Sequence, residues 1–283
     1  MNADTPVGAC LNCGHAHPSR DDFGGLVRRC TSCGLGWTVR DPTTTPARYD
    51  LDYFTGGGYD DYFRDAPRRF EAGRRLRWLS SITRPSVLVE AGCAGGYFLE
   101  AARNAGYTAT GIEVSHAATT YATQHLGVPV RHGYFEHIAP TLHADIVCAF
   151  HVLEHVDNPR TFLHAARHTL TPGGWLALEV PNIASAAATR LGHHWPGLQP
   201  EYHPWHFTPT SLVRLLTATG FEVVRQDTAV FRYYMPLRYR IRHARRLLPA
   251  DWLDVRSPRL THRRRGDLLR VIARKPRPGR SDR

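Results

Sequence analysis

Between residues 86 and 229 the chain alternates short apolar runs with stretches of helical spacing. The runs Val87–Val89, Ala144–Phe150 and Leu176–Val180 are nearly free of polar positions. Runs too short for helices and without polar alternation predict strands buried on both faces of a parallel sheet. Thr108–Glu113, Val128–Val130 and Phe221–Val224 predict further strands, and Leu268–Ala273 a last one. Helices are predicted between them, at about Asp65–Ser81, from Phe98 onward, at His116–Leu126 and at Thr210–Thr219. This alternation predicts a doubly wound α/β sheet, with ligands held at the carboxyl ends of its strands. Residues 183–207 break the pattern as a long irregular connection rich in His, Pro and Trp, densest at Glu201–Phe207. A loop that long inside a compact domain is usually functional.

The turn after the first strand reads Glu90-Ala91-Gly92-Cys93-Ala94-Gly95-Gly96 and runs into a helix start at Phe98–Ala102. Glycines there let a ligand approach the backbone, and the helix aims free N–H groups at it. A dinucleotide fingerprint needs glycine at its first, third and sixth positions; the chain has Gly92, Ala94 and Tyr97, so that reading fails. The spacing acid-x-Gly-x-Gly-x-Gly fits instead, as Glu90, Gly92, Ala94 in place of a glycine, and Gly96. Glu113 closes the next strand, about twenty residues beyond the glycines, where a carboxylate can accept both hydrogen bonds of a ribose diol. Taken alone, the loop also fits an ordinary strand–helix turn beside two unrelated carboxylates.

Residues 1–40 carry two knuckles, Cys10-x2-Cys13 and Cys30-x2-Cys33, with Gly14 and Gly34 next in the chain. Two such pairs can converge four thiolates on one tetrahedral zinc. Two disulfides or four free thiols are the rival readings, and a cytosolic chain disfavours the disulfides. Four thiolates leave no open position, so the zinc would be structural. Residues 41–62 surround Gly56–Gly58 with Tyr49, Tyr53, Phe54, Tyr59 and Tyr62. These rings would form a lid over a ligand or pack the cysteine unit onto the main domain.

The order of these segments resembles the class I S-adenosylmethionine (SAM)-dependent methyltransferases over about residues 85–228. Glu90–Gly96 looks like their first motif, His151-Val152-Leu153-Glu154-His155 like a segment of many bacterial members, and Leu170-x-Pro172-Gly173-Gly174, a strand and Pro181-Asn182 like their later landmarks. A zinc-knuckle leader occurs in a subset that includes deoxysugar C-methyltransferases and natural-product tailoring enzymes. The resemblance implies a Rossmann-like seven-stranded sheet with a small N-terminal zinc unit. It implies that Glu90, Gly92, Ala94 and Gly96 line the methionine end of the donor, that Glu113 holds its ribose, that Tyr134 lies by the adenine, and that Phe150 and His151 lie near the reacting sulfur.

Methyl transfer to a hydroxyl or a protonated amine needs a proton acceptor, and a histidine suits that role. Among 17 histidines the candidates are His151, favoured because the fourth strand's edge lies beside the donor in the family, then His203, with His155 and His206 nearby. The alternative is that these are packing residues and that proximity suffices. His151-x2-Glu154-His155 with His203 also resembles the Glu-x2-Glu-His plus histidine that binds divalent metal in some RNA 2′-O-methyltransferases. Here His151 replaces the first acid, which puts a magnesium-type site in doubt.

Net charge is +11, yet it is local: residues 230–283 hold 17 Arg or Lys against 4 Asp, and residues 1–229 are close to neutral. The arginine-rich region 232–265 would grip RNA phosphates, dock an acidic carrier protein, bind an anionic substrate, or simply be solvated. No apolar run approaches the ~20 residues of a membrane span, and the N-terminus lacks the features of a secretion signal. The expectation is a cytoplasmic enzyme, with a zinc unit at 1–40, a linker, lid and lead-in helix at 41–84, a SAM-binding core at 85–229 and a basic insertion with the last strand at 230–283. Methyl transfer to oxygen or nitrogen of a small molecule in natural-product (antibiotic) biosynthesis is the reading favoured. An rRNA or tRNA methyltransferase, a sugar C-methyltransferase and a non-catalytic SAM- or partner-binding module are the alternatives.

Overall fold

The computed structural model describes residues 9–15, 19–39, 63, 65–230 and 265–278. The expected lid at 41–62 and the arginine-rich region, apart from Arg265, lie outside the described residues. The cysteine unit contributes strands β1 (Ser19–Asp22), β2 (Val27–Cys30) and β3 (Gly36–Thr38). Helix α1 (Asp65–Ser80) leads into β4 (Val87–Ala91), α2 (Tyr97–Asn104), β5 (Thr108–Glu113), α3 (His116–His125) and β6 (Val130–His132). The chain then forms α4 (Phe135–Ile138), β7 (Ala144–Phe150), α5 (Pro159–Thr169) and β8 (Leu170–Pro181). It closes with α6 (Ala186–Leu191), β9 (Trp205–His206), α7 (Pro209–Ala218), β10 (Glu222–Ala229) and β11 (Leu268–Arg274).

The main sheet has seven strands in the order β10-β11-β8-β7-β4-β5-β6. The five from β8 to β6 are parallel, and β11 runs antiparallel to both of its neighbours. From β4 the chain winds outward through β5 and β6, then returns to place β7 on the other side of β4. That reversal is the switch point of the strand order, at the carboxyl ends of β4 and β7, the place where open α/β sheets bind ligands. Apolar side chains fill both faces: Trp78, Leu79, Leu88, Phe98 and Leu99 on one, Val89, Phe162, Leu163, Leu215 and Leu216 on the other.

Local chemistry explains where the helices begin. The Asn158 side chain accepts from the amides of Arg160 and Thr161 ahead of Pro159, and Thr208 and Ser211 cap α7 reciprocally.

The structure departs from the sequence reading in several places. β6 is Val130–His132 rather than Val128–Val130, because pairing with Gly111–Glu113 starts only after Pro129. β8 starts at Leu170, since Leu170 already pairs with Ala144 and a register shift absorbs the glycine pair. The connection 183–207 is not wholly irregular: Ser185 caps α6, and β9 pairs with β3 of the cysteine unit. A two-residue strand whose partner lies far away in the chain leaves no periodic signal.

Candidate active site

At the end of β4 the chain turns through Gly92, Ala94 and Gly96 with φ of 65°, 45° and 84°. A Cβ on Gly92 would sit 2.5 Å from Val152 Cγ2, and one on Gly96 would sit 2.7 Å from Val128 Cγ2. These glycines are therefore required by the close packing of β7's exit loop and of the stretch before β6. Glu113, at the end of β5, holds the turn from the other side. Its carboxylate accepts the amide of Ala94 at 2.8 Å and that of Ser115 at 2.8 Å. Those bonds stabilise the left-handed Ala94, a conformation that costs about 1–2 kcal/mol for a residue with a Cβ. A carboxylate has about four lone-pair directions, so Glu113 keeps acceptor capacity for a ligand beyond the amides it already takes.

Glu90 is 4% exposed, and its Oε2 has no hydrogen-bond partner among the described residues. Burial raises its carboxyl well above the ordinary range, against the opposing charge of Arg75. Burial raises Glu113 as well, opposed by the amides it accepts. Two desolvated acids around a left-handed turn suit a ligand that brings its own donors. Phe150 is buried edge-on against Phe98, 4.8 Å between centroids, at the same sheet edge. Tyr134 is 61% exposed beside Gly133, whose amide donates to the Glu113 carbonyl.

A chain of buried charges lies under α1. Arg75 donates through Nε and Nη2 to Glu179 Oε1, at 3.0 and 2.7 Å, and pairs with Glu71 at 2.8 Å. Its guanidinium lies 4.8 Å from the centroid of Phe150. His151, with φ of 57°, places Nδ1 3.1 Å from Glu154 Oε1 and Nε2 3.5 Å from Glu179 Oε1. Burial alone would lower His151, but the bonds to Glu154 and Glu179 outweigh it and raise the ring to about 9. At neutral pH it is an imidazolium clamped between two carboxylates. Sequence reasoning missed Glu71, Arg75 and Glu179. The available signal was Glu179 itself, a lone acid inside the apolar run Leu176–Val180.

Beyond Glu154 lies a second group. One ligand atom each of Glu154, His155 and His203 falls within 4.8 Å of the others, and the two rings stand 4.6 Å apart. His155 Nδ1 is 3.2 Å from the Tyr202 carbonyl, which can only accept, so in the neutral ring Nδ1 carries the hydrogen and Nε2 is the acceptor nitrogen. Glu154 Oε2 and His203 Nδ1 are buried and have no partner among the described residues. Burial lowers His155 and drives His203 well below its usual value, the neighbouring histidines adding to it. Two neutral imidazoles and the unpartnered carboxylate oxygen Oε2 of Glu154 form a donor set for a divalent cation. His151 stands outside this set, although the sequence placed it in the motif. His206 turns away toward Thr38.

The four knuckle cysteines converge. Cys10 and Cys33 sulfurs are 3.6 Å apart and Cys13 and Cys30 sulfurs 3.7 Å, all four within 4.8 Å. A disulfide would need about 2.05 Å. Four thiolates at about 2.3 Å from a zinc ion form a tetrahedron with edges of about 3.8 Å, which the spacings fit. Gly14 and Gly34, with φ of 71° and 79°, make the knuckle turns.

Residues 62–226 match a family described as a methyltransferase domain. The ubiquinone biosynthesis O-methyltransferase of Hydrogenovibrio crunogenus is 32% identical over 115 residues, 38% of this chain and 47% of that protein. The protein of the same name from Dinoroseobacter shibae is 28% identical over 195 residues, 64% of this chain and 73% of that one. The chain spans about half the length of several curated relatives it matches. Burkholderia thailandensis 1,6-didemethyltoxoflavin-N1-methyltransferase, solved with S-adenosylhomocysteine, superposes with a TM-score of 0.52 at 17% identity, over 87% of this chain and 97% of that one. That likeness is one of fold.

Proposed function

Because the chain belongs to the methyltransferase-domain family, we propose that it transfers a methyl group from SAM to a hydroxyl oxygen of a small-molecule acceptor. The buried strand-end carboxylates Glu90 and Glu113, bracketing the left-handed turn, carry this reading. Glu113 has lone pairs left for a ribose diol, and the unpartnered Glu90 Oε2 suits the ammonium at the methionine end. Tyr134 would flank the adenine, and Phe150 and His151 would border the reacting sulfur. When bound, SAM supplies a sulfonium methyl group. The chain's own part would be to hold the acceptor oxygen in line with that methyl carbon and to take up the hydroxyl proton, the bonding pair remaining with the departing sulfur. His203, neutral and with Nδ1 unpartnered, receives the proton. His151 is already protonated and instead holds Glu154 and Glu179. The relatives named O-methyltransferases favour oxygen over nitrogen or carbon. Those relatives lend no support to a natural-product setting, and it is not retained. The knuckle cysteines would hold a structural zinc.

A second reading is favoured by the two orphaned atoms of the Glu154–His155–His203 group. A divalent cation there would lower the pKa of an acceptor hydroxyl, and His203 would then be a ligand rather than the base. The test is calorimetric titration of SAM, then transfer of labelled methyl to a panel of catechols, phenols and aromatic amines. It is run before and after dialysis against EDTA, with zinc counted by atomic emission. Catechol methylation that persists with only zinc retained supports His203 as base. Loss on dialysis and recovery with magnesium or manganese supports the cation. Absence of SAM binding sinks both.

A further inference from the structure

The cysteine unit and the group around His203 meet at one residue. β3 pairs with β9 through Gly36 with His206 and Trp37 with Trp205. Thr38 closes that ladder: its amide donates to the Pro204 carbonyl at 3.0 Å. Its hydroxyl donates to the His203 carbonyl at 2.6 Å and lies 2.9 Å from His206 Nε2. A hydroxyl has one hydrogen, and the carbonyl takes it, so the second bond must run from His206 Nε2–H to the Thr38 oxygen. One side chain thus fixes a carbonyl and a tautomer. The tautomer is a neutral one, since burial lowers His206 to about 3.

The other side of the segment rests on β7's exit loop. Trp205 donates its amide to the Glu154 carbonyl at 3.3 Å and its indole N–H to the Val156 carbonyl at 2.9 Å. The His155 ring donates to the Tyr202 carbonyl. Residues 202–206 are therefore held between the cysteine unit and Glu154–His155. The cysteine unit is itself anchored to the main domain, by Arg160 to the carbonyls of Leu11 and Asn12 and by Asn12 to the Ser211 carbonyl. Cys10, Cys30, Cys33 and Leu35 share a core with Phe207 and Leu212. Cys33 is five residues from Thr38 along the chain.

We infer that Thr38 is a positioning residue through which the cysteine unit sets the place of His203 beside Glu154 and His155. The inference rests on His203 acting in the proposed transfer, whereas the coupling itself does not need turnover. The experiment compares full-length wild type with Thr38→Val and Thr38→Ser by amide hydrogen exchange, SAM calorimetry and acceptor kinetics. Valine keeps the shape and loses both hydroxyl bonds; serine keeps them. With both bonds lost, Thr38→Val should speed exchange at Tyr202, His203 and Trp205 about tenfold. Residues 87–118 and the SAM dissociation constant should stay unchanged. The turnover number should fall while serine restores both readouts, and stripping the cysteine metal should reproduce the exchange pattern of valine. Wild-type exchange in Thr38→Val, or failure of serine to restore it, overturns the inference. Normal exchange coupling with no SAM binding would leave the coupling standing and overturn the proposed reaction instead.

Discussion

Replacing Glu113 by glutamine separates the two tasks given to this carboxylate. Its two oxygens accept the amides of Ala94 and Ser115, each at 2.8 Å. A glutamine offers one oxygen and one NH2, so one amide is left facing a donor. Orphaning a buried amide costs about 1–3 kcal/mol, and a chain of this size loses about 2–4 °C in Tm per kcal/mol. Thermal unfolding should therefore fall by roughly 2–12 °C in the ligand-free protein. The diol also loses a charged acceptor, worth about 1.5–3 kcal/mol, so SAM should bind roughly 10- to 150-fold more weakly by calorimetry. Glu113→Ala removes both anchors and frees Ala94, so its Tm should fall further than that of Glu113→Gln. SAM binding within twofold of wild type in the glutamine variant would refute the ribose assignment. An unchanged Tm would refute the claim that Glu113 holds the turn.

Burial raises Glu90 and Glu113 above the ordinary value of 4.5. The folded chain thus keeps their protons to higher pH than the unfolded chain, and ligand-free stability should fall as pH rises above 4.5 through the raised values. A ligand that donates to both carboxylates favours the ionised forms. SAM binding should then release protons and tighten with rising pH, measured in buffers of differing ionisation enthalpy; proton uptake would contradict this. Arg75→Met leaves Glu179 buried without its guanidinium and should cost about 3–5 kcal/mol in urea unfolding. The double variant Arg75→Met with Glu179→Met should recover much of that loss, and strictly additive losses would count against the buried pair. Gly92→Ala forces a Cβ to 2.5 Å from Val152 at positive φ and should cost about 1–3 kcal/mol. Val152→Ala should rescue part of it, and absence of rescue would mean the cost lies in the backbone alone.

The parallel strands were legible because their side chains are buried on both faces, and Val87–Ala91, Thr108–Glu113 and Ala144–Phe150 match their predicted runs within two residues. β10 runs on past the predicted Val224 because Arg225, Gln226 and Asp227 interrupt its apolar pattern without ending the strand. In the fold their charges are met by one another and by Arg270, and Gln226 reaches the Pro209 carbonyl. The glycines of the first turn were legible as glycines, but their reason was not. Gly92 and Gly96 yield room to Val152 and Val128, which are distant in sequence. His151 was legible as a group at a sheet edge; its charge was not, since Glu179 comes from another strand.

By itself, the sequence determined the features that arise from local period and spacing. These are the doubly wound order of strands and helices, the acid–glycine turn, and the pairing of cysteines into knuckles. Tertiary structure alone decided which groups share a site. It placed Arg75 and Glu179 around His151, left His151 bonded to Glu154 but outside the Glu154–His155–His203 donor set, and set β3 against β9 so that the cysteine unit holds the His203 segment. The physical reason is that periodicity records only which face of an element is buried. Charge state, tautomer and ligand geometry depend on partners within a few ångströms, brought together from distant parts of the chain.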